Sequence, residues 1–306
     1  MRETGPRHAD AAPAGQDAHA GAPLRIVLLS HSVESFARTH AVCTAAGHRP
    51  LAHVYARSLR PAAPVREGAP ETAADLTAAI PRGVDLFLPG RAGNLAAPLA
   101  GYRPDLVVCN GFPWRLPPAL LAVPTLGTLN IHTSLLPRYR GPIPVHWAIR
   151  NGDRETGVTV HWMDETFDTG PVLVQRGGVP LPDRFDPDGL LDELDALGAE
   201  LLAEALPLAA AGAPGEPQRE RDASYAGWME DSFHHVDWSR PAHRVHHQVR
   251  TFRLGVPGAR GPLAEVSGRR LRLLGTSLEP QRSDGRALRV ECGDGPLWIT
   301  EYEPVP

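Results

Sequence analysis

Lysine is missing from this 306-residue chain; all 31 basic residues are arginine. That excludes Schiff-base chemistry on a lysine, a pyridoxal-phosphate lysine and a P-loop lysine. Cysteine is scarce. Cys43, Cys109 and Cys292 are far apart and form no C-x-x-C pair, which argues against a disulfide framework or a thiolate zinc site and for buried free thiols in a reducing compartment. No apolar run approaches the roughly 18 residues of a membrane span. No excess of positive charge exists to draw a polyanion, since the formal net charge is −4. G-x-S-x-G, H-E-x-x-H and G-x-G-x-x-G are all absent, so a nucleophile elbow, a zincin helix and a dinucleotide fingerprint are excluded.

The chain is rich in turn formers, with 30 glycines and 32 prolines, and 42% of it is hydrophobic, enough for a buried core. Residues 1–22 are Ala/Gly/Pro-rich with no apolar core and no secretory pattern, and are expected to form a disordered extension. This places the protein in the cytoplasm as an expectation. From Leu24 onward, short apolar runs (24–30, 50–56, 84–90, 105–112, 127–133) alternate with helical stretches (32–48, 117–123). That order predicts an α/β fold with a doubly wound, mostly parallel, Rossmann-like sheet. A helix over 142–152 closed by Asn-Gly, two strands over 157–164 and 171–181, and a long helix over 186–211 capped by Asp186 or Asp188 complete a domain spanning 23–210. The Gly/Pro-rich stretch 211–220 is predicted as a linker. Short alternating segments over 221–306 predict a small C-terminal β-rich, OB-like domain.

The densest polar cluster runs from Asn130 to Gly170. Alternate side chains share a face of a strand, so Asn130 and His132 can face one pocket, and Asp168 in a following loop could join them. An amide, an imidazole and a carboxylate suit acyl transfer without a protein nucleophile. The two N–H groups can hold an oxyanion, and the carboxylate can orient the imidazole.

The segment LNIHTSLLPRYRGPIPVHWAIRNGDRETGVTVHWMDETFDTGPVLVQ (129–175) resembles the signature region of the folate-dependent formyltransferases. The resemblance rests on Asn-x-His, the SLLPRYRG loop and the D-x-x-x-D-x-G turn in order, and extends over most of 24–206. Segments 230–250 and 291–299 are similar to the second domain of UDP-aminoarabinose formyltransferase. It implies 10-formyltetrahydrofolate as co-substrate, an amine as acceptor, no metal, and Asn130, His132 and Asp168 as the catalytic groups. The same resemblance implies that the pterin site is lined by Phe112, Trp114, Arg115, Leu116, Pro117, Met163 and Asp164, with Pro137 and Gly141 shaping the loop between.

The acceptor is expected to be a small-molecule amine, either a nucleotide-linked aminosugar or an amino-acid-derived precursor. Residues 56–74 show no basic run, and in 221–306 twelve arginines stand against eleven acids, so no electrostatic footprint for tRNA is visible. Methionyl-tRNA is the alternative acceptor, and water, giving a formyltetrahydrofolate hydrolase, the second alternative. Arg138 and Arg140 are candidates for an anionic acceptor or the donor's glutamate tail, or equally for pairing with nearby acids. The histidines at 234, 235, 243, 246 and 247 are read as a solvated helix face, and His31, His146 and His161 as structural, with support of the pocket the alternative for His161. The sequence leaves oligomeric state open, a homodimer included.

Overall fold

The computed structural model of the chain describes residues 22–56, 58, 73–256, 259–280 and 287–305. The expected N-terminal extension and most of 56–74 lie outside the described residues. The chain runs β1 (Arg25–Ser30), α1 (Val33–Ala45), β2 (Arg49–Tyr55), α2 (Ala73–Ala79), β3 (Asp85–Phe87), α3 (Ala96–Ala100), β4 (Leu106–Asn110), α4 (Pro118–Leu121), β5 (Gly127–His132), α5 (Pro144–Asn151), β6 (Glu155–Trp162), β7 (Val172–Pro180) and α6 (Pro187–Ala210). After these come α7 (Ala242–Thr251), β8 (Leu263–Val266), β9 (Arg269–Ser277), β10 (Leu288–Cys292) and β11 (Gly295–Pro304).

The first seven strands form one sheet in the order β3-β2-β1-β4-β5-β6-β7. Strands β3 to β5 pair in parallel, whereas β6 and β7 are added antiparallel at one edge. The order reverses between β1 and β4, so loops leaving the carboxyl ends of those strands part there and open a crevice. Strand alternation sorts the core into two layers. Leu24, Ile26, Leu28, Leu106, Val108, Leu129 and Ile131 pack with α1 and α6. Val27, Leu29, Val107 and Cys109 face the other way, onto Leu95, Leu99, Leu116 and Leu120. Burying each such aliphatic side chain contributes roughly 1.5–3 kcal/mol.

Helix ends follow the expected chemistry. Ser32 accepts from the Ser35 N–H ahead of α1, and Asp186 accepts from the Gly189 N–H at 3.0 Å ahead of α6. Gly198 lets α6 approach closely, since a Cβ there would meet Ile131 at 2.8 Å.

The C-terminal module is a four-stranded antiparallel sheet, β10-β11-β9-β8. Helix α7 joins it to the first domain. Its Val245 and Val249 pack under the small sheet with Leu271, Leu273, Leu297 and Ile299. Its opposite side meets α5, where His247 lies against Gly152. The expected solvated histidine face therefore holds for His243, which is exposed, but not for His246, which is buried, or His247, which is half-buried against α5. Cys43 and Cys109 are buried thiols, as anticipated, and burial raises both above an ordinary thiol pKa. Cys292 is only half-buried, at the edge strand β10.

Candidate functional site

Strand β5 turns Leu129 and Ile131 into the α6 layer, which leaves Thr128, Asn130 and His132 on the other face. The antiparallel register places His161 directly beside Asn130 and Thr159 beside His132. A polar patch thus forms on two neighbouring strands at the end of an otherwise apolar sheet. Asp168 reaches it from the β6–β7 loop. Its backbone is left-handed, with φ of 54°, a conformation that aspartate tolerates better than most residues.

The hydrogen bonds assign the protons. His132 Nε2 lies 2.8 Å from the Tyr139 carbonyl and must donate to it, which turns Nδ1 toward Asp168 Oδ2 at 3.7 Å. His161 Nδ1 donates to the Trp162 carbonyl at 2.7 Å, and its Nε2 lies 3.2 Å from the Asn130 amide nitrogen. Asn130 Nδ2 also donates to Asp168 Oδ1 at 3.2 Å. The Gly141 N–H donates to Asp168 Oδ2 at 2.7 Å. Gly141 has a φ of 110°, and a Cβ there would meet the Tyr225 ring at 2.8 Å, so only glycine lets the chain bend this closely to the carboxylate.

Both His132 and Asp168 are buried. Burial pushes the His132 imidazole below an ordinary histidine, and the facing carboxylate opposes that shift. Burial alone would raise the Asp168 carboxyl; the His132 and His161 imidazoles and the Gly141 amide outweigh it and hold the group well below the usual carboxylate range. The site therefore presents a buried anion beside an imidazole and an amide. That combination can hold a developing oxyanion and accept a proton.

The three residues expected to act together are thus brought together. His161, read as structural, stands among them. It shares the face of Asn130 because the antiparallel register sets the two residues directly opposite each other. Gln218 was also missed. Its Nε2 donates to the carbonyls of Asp168 and Gly170, each at 2.8 Å.

The loop between β4 and α4 borders a cavity of about 400 Å³ lined by Ala92, Gly93, Trp114, Arg115, Pro117 and Pro118. Trp114 is buried, with its indole N–H on the Ser58 carbonyl at 2.9 Å and Phe112 edge-on at 5.4 Å. Arg115 Nε donates to the Glu165 carbonyl at 2.9 Å, which closes the loop onto the β6–β7 turn. Leu116 belongs to the core layer below, against which Met163 and Phe112 also pack. The Asp164 carboxylate is taken by its own turn, accepting from the Thr166 N–H at 3.0 Å and the Thr169 hydroxyl at 2.7 Å. Of the seven residues expected at the pterin, Trp114, Arg115 and Pro117 line the cavity. An aromatic wall beside a guanidinium, over loops at the strands' carboxyl ends, fits a flat, polar-edged ring system.

A second cavity, about 580 Å³, is lined by Arg138, Tyr139, Trp147, Asn151, Asp222, Ser224 and Tyr225. Asn130, His132 and Asp168 line neither cavity. Arg138 faces the second one while paired with Asp153 at 2.7 Å. Arg140 is buried, its guanidinium on Gln218 and Glu220 at 3.0 Å. Among the described residues no group of three or more His, Cys, Asp or Glu side chains is placed to hold a metal ion, and no helix is long and apolar enough to cross a membrane.

Comparison with known proteins adds an independent line. Residues 24–206 match the family described as formyl transferase, and residues 229–305 match the formyl transferase C-terminal domain. The chain is 36% identical over 270 residues to a methionyl-tRNA formyltransferase of Ruegeria pomeroyi, with 85% of each chain covered. Among solved structures, HypX from Aquifex aeolicus in complex with tetrahydrofolic acid is similar at a TM-score of 0.60 and 22% identity. That match covers 93% of this chain but 45% of the longer HypX. WlaRD, a sugar 3N-formyl transferase, is similar at a TM-score of 0.65 and 13% identity, covering 93% of this chain and 99% of WlaRD.

Proposed function

The chain belongs to the folate-dependent formyltransferase family, and from that membership we propose that it moves the formyl group of 10-formyltetrahydrofolate onto the amino group of methionyl-tRNA. The observation that carries the chemistry is the convergence of Asn130, His132 and Asp168 on one face of β5, with the Gly141 amide on the carboxylate.

The co-substrate supplies an electrophilic formyl carbon. Trp114, Arg115 and Pro117 form the wall that receives its ring system, and Phe112, Leu116, Met163 and Asp164 hold that wall in shape. The Asn130 amide N–H and His132 Nδ1, once protonated, stabilise the oxyanion as nitrogen attacks carbon. Asp168 stays ionised and orients that imidazole; the proton that the attacking amine sheds goes to His132 Nδ1 and from there to N10 as the N10–formyl bond breaks and tetrahydrofolate leaves. Removing one oxyanion donor of this kind costs about 10²–10³ in rate. Burial excludes water from the cluster, which strengthens each of these interactions and favours the amine over hydrolysis.

The acceptor is the finer question. A relative that is 36% identical over 85% of both chains, with both domains matched, supports methionyl-tRNA. It outweighs the near-neutral charge that points to a small amine. That charge still favours a second reading, a nucleotide-linked aminosugar or an amino-acid-derived amine. The C-terminal arginines Arg260 and Arg289 lie near Glu303 and Glu291 rather than standing free. In this reading Arg138 would meet an anionic acceptor. Side-by-side kcat/KM measurements with charged initiator tRNA and with nucleotide aminosugars decide between them. We expect tRNA to be preferred, with an affinity that falls steeply with salt. Turnover of an aminosugar but not of methionyl-tRNA would overturn the acceptor assignment.

A further inference from the structure

Residues 216–227 follow α6 where the sequence suggested a linker ending at 220, yet they are bonded back onto the site. Glu216 pairs with Val172 through both backbone hydrogen bonds, at 2.7 and 2.9 Å. The Ser224 N–H donates to the Pro137 carbonyl, the Arg140 N–H to the Ser224 carbonyl, and the Ala226 N–H to the Arg140 carbonyl. The Ser224 hydroxyl accepts from the Tyr139 N–H at 2.8 Å. This strap crosses the loop that offers the Tyr139 carbonyl to His132 and the Gly141 amide to Asp168.

One side chain of the strap reaches both halves of the site. Gln218 Nε2 places its two hydrogens on the Asp168 and Gly170 carbonyls, and its Oε1 accepts from Arg140 Nε at 3.0 Å. All three of those polar contacts are filled. Arg140 is the immediate neighbour of Gly141, whose amide holds the Asp168 carboxylate. A closed ring results: Asp168 side chain, Gly141, Arg140, Gln218, Asp168 backbone. We propose that Gln218 is a positioning residue for formyl transfer, fixing the left-handed turn at Asp168 so that its carboxylate faces His132. It touches neither substrate nor reacting atoms. A displacement of about 1 Å in such a group can cost about 10²-fold in rate. Through Gln218 the segment leading to the C-terminal module is coupled to the site. The inference rests on Asp168 and His132 acting as proposed above.

Gln218→Met keeps the size of the side chain and removes its hydrogen bonds. Gln218→Glu keeps an acceptor for Arg140 but turns a carboxylate oxygen, which cannot donate, toward the two carbonyls. Each is assayed with 10-formyltetrahydrofolate and the acceptor that the parent enzyme turns over, methionyl-tRNA or a nucleotide aminosugar. Both variants are expected to lose about 10- to 100-fold in kcat, with KM for the co-substrate within twofold. The acid limb of the rate profile should move to higher pH, because a carboxylate freed from its clamp binds protons more readily. Should Gln218→Met fail to fold, Gln218→Leu, which likewise lacks every hydrogen bond of the glutamine and adds no charge, is read in the same assay. Glu220→Gln, which touches the same arginine from its exposed side, should leave kcat and the acid limb unchanged. Parental kcat and acid limb in both Gln218 variants, with only a lowered Tm, would reduce Gln218 to a structural role. Asp168→Asn in the same assay separates the two levels: full activity there overturns the catalytic reading itself, whereas its inactivity beside fully active Gln218 variants overturns this inference only.

Discussion

Two clusters of imidazoles lie in this chain, and they are built in opposite ways. In the first, His132 and His161 flank Asp168, with ring centroids 6.3 Å apart, and each ring nitrogen lies within hydrogen-bond or ion-pair distance of a partner. The carboxylate between them is itself held by a backbone amide. In the second, His243, His246 and His247 crowd α7, about 6 Å apart, with Arg250 among them. His246 is partnered at both nitrogens, Nδ1 with the Thr276 hydroxyl at 2.9 Å and Nε2 with the exposed Asp183 carboxylate at 3.6 Å, whereas His247 Nδ1 is buried without a hydrogen-bond partner. Burial and the neighbouring cations push His247 down to about 4. Histidine density does not make a site. An anion fixed by amides among oriented imidazoles can manage charge and protons; His246 and His247, pressed between two domains, serve packing.

The largest expected break in that contrast is Asp168→Asn. It should lower kcat by about 10²–10³ with little change in Tm, as read by single-turnover assay and calorimetry. Parental activity would remove the carboxylate from the mechanism. Next comes Arg250→Ala on the second cluster. Its guanidinium donates to the carbonyls of Leu181, Pro182 and Asp183 at 2.7–3.2 Å, so the variant should lose about 3 kcal/mol of stability in urea unfolding. An unchanged midpoint would mean that α7 docks by apolar contact alone.

A subtler effect follows pH. His146, whose ring is hydrogen-bonded at Leu254, and His247 are both held down to about 4 by burial. The unfolded chain binds their protons near pH 6.5 and the folded chain does not, so stability is full above about 6.5 and is lost progressively as pH falls toward 4. The Tm of His146→Gln should fall less steeply across that window than the parent's; an identical slope would show that the His146 imidazole is not held below its ordinary value. Smallest of all, His243→Ala should change stability by less than about 0.5 kcal/mol, and added zinc should not raise the Tm of the parent protein. A zinc-dependent rise would make the α7 cluster a metal site.

Much of this was legible in the residues because it is local. Period-two alternation placed Asn130 and His132 on one face, Ser32 and Asp186 marked helix starts, and short apolar runs marked the buried strands. What escaped depends on pairing between distant segments. His161 joins the site only through the β5–β6 register, which forms across the intervening α5 and is not visible in the β6 sequence itself. Gln218 lies fifty residues beyond Asp168, in a Gly/Pro-rich stretch that reads as a connector, and nothing in its own neighbourhood announces two distant carbonyls. For Arg140 the sequence left open an anionic ligand or pairing with nearby acids; Gln218 and Glu220 of the strap take its guanidinium. His246 and His247 look like part of a polar helix face until the C-terminal sheet and α5 close on both sides.

The central claim is that this buried anion–imidazole–amide cluster delivers a formyl group to nitrogen. The most direct measurement follows the label of 10-formyltetrahydrofolate carrying a ¹³C-formyl group, with and without an amine acceptor, in the parent enzyme and in His132→Ala. The account predicts label on the acceptor nitrogen, dependent on the amine and reduced at least a hundredfold in the variant. Labelled formate released at the same rate whether or not an amine is present would contradict it.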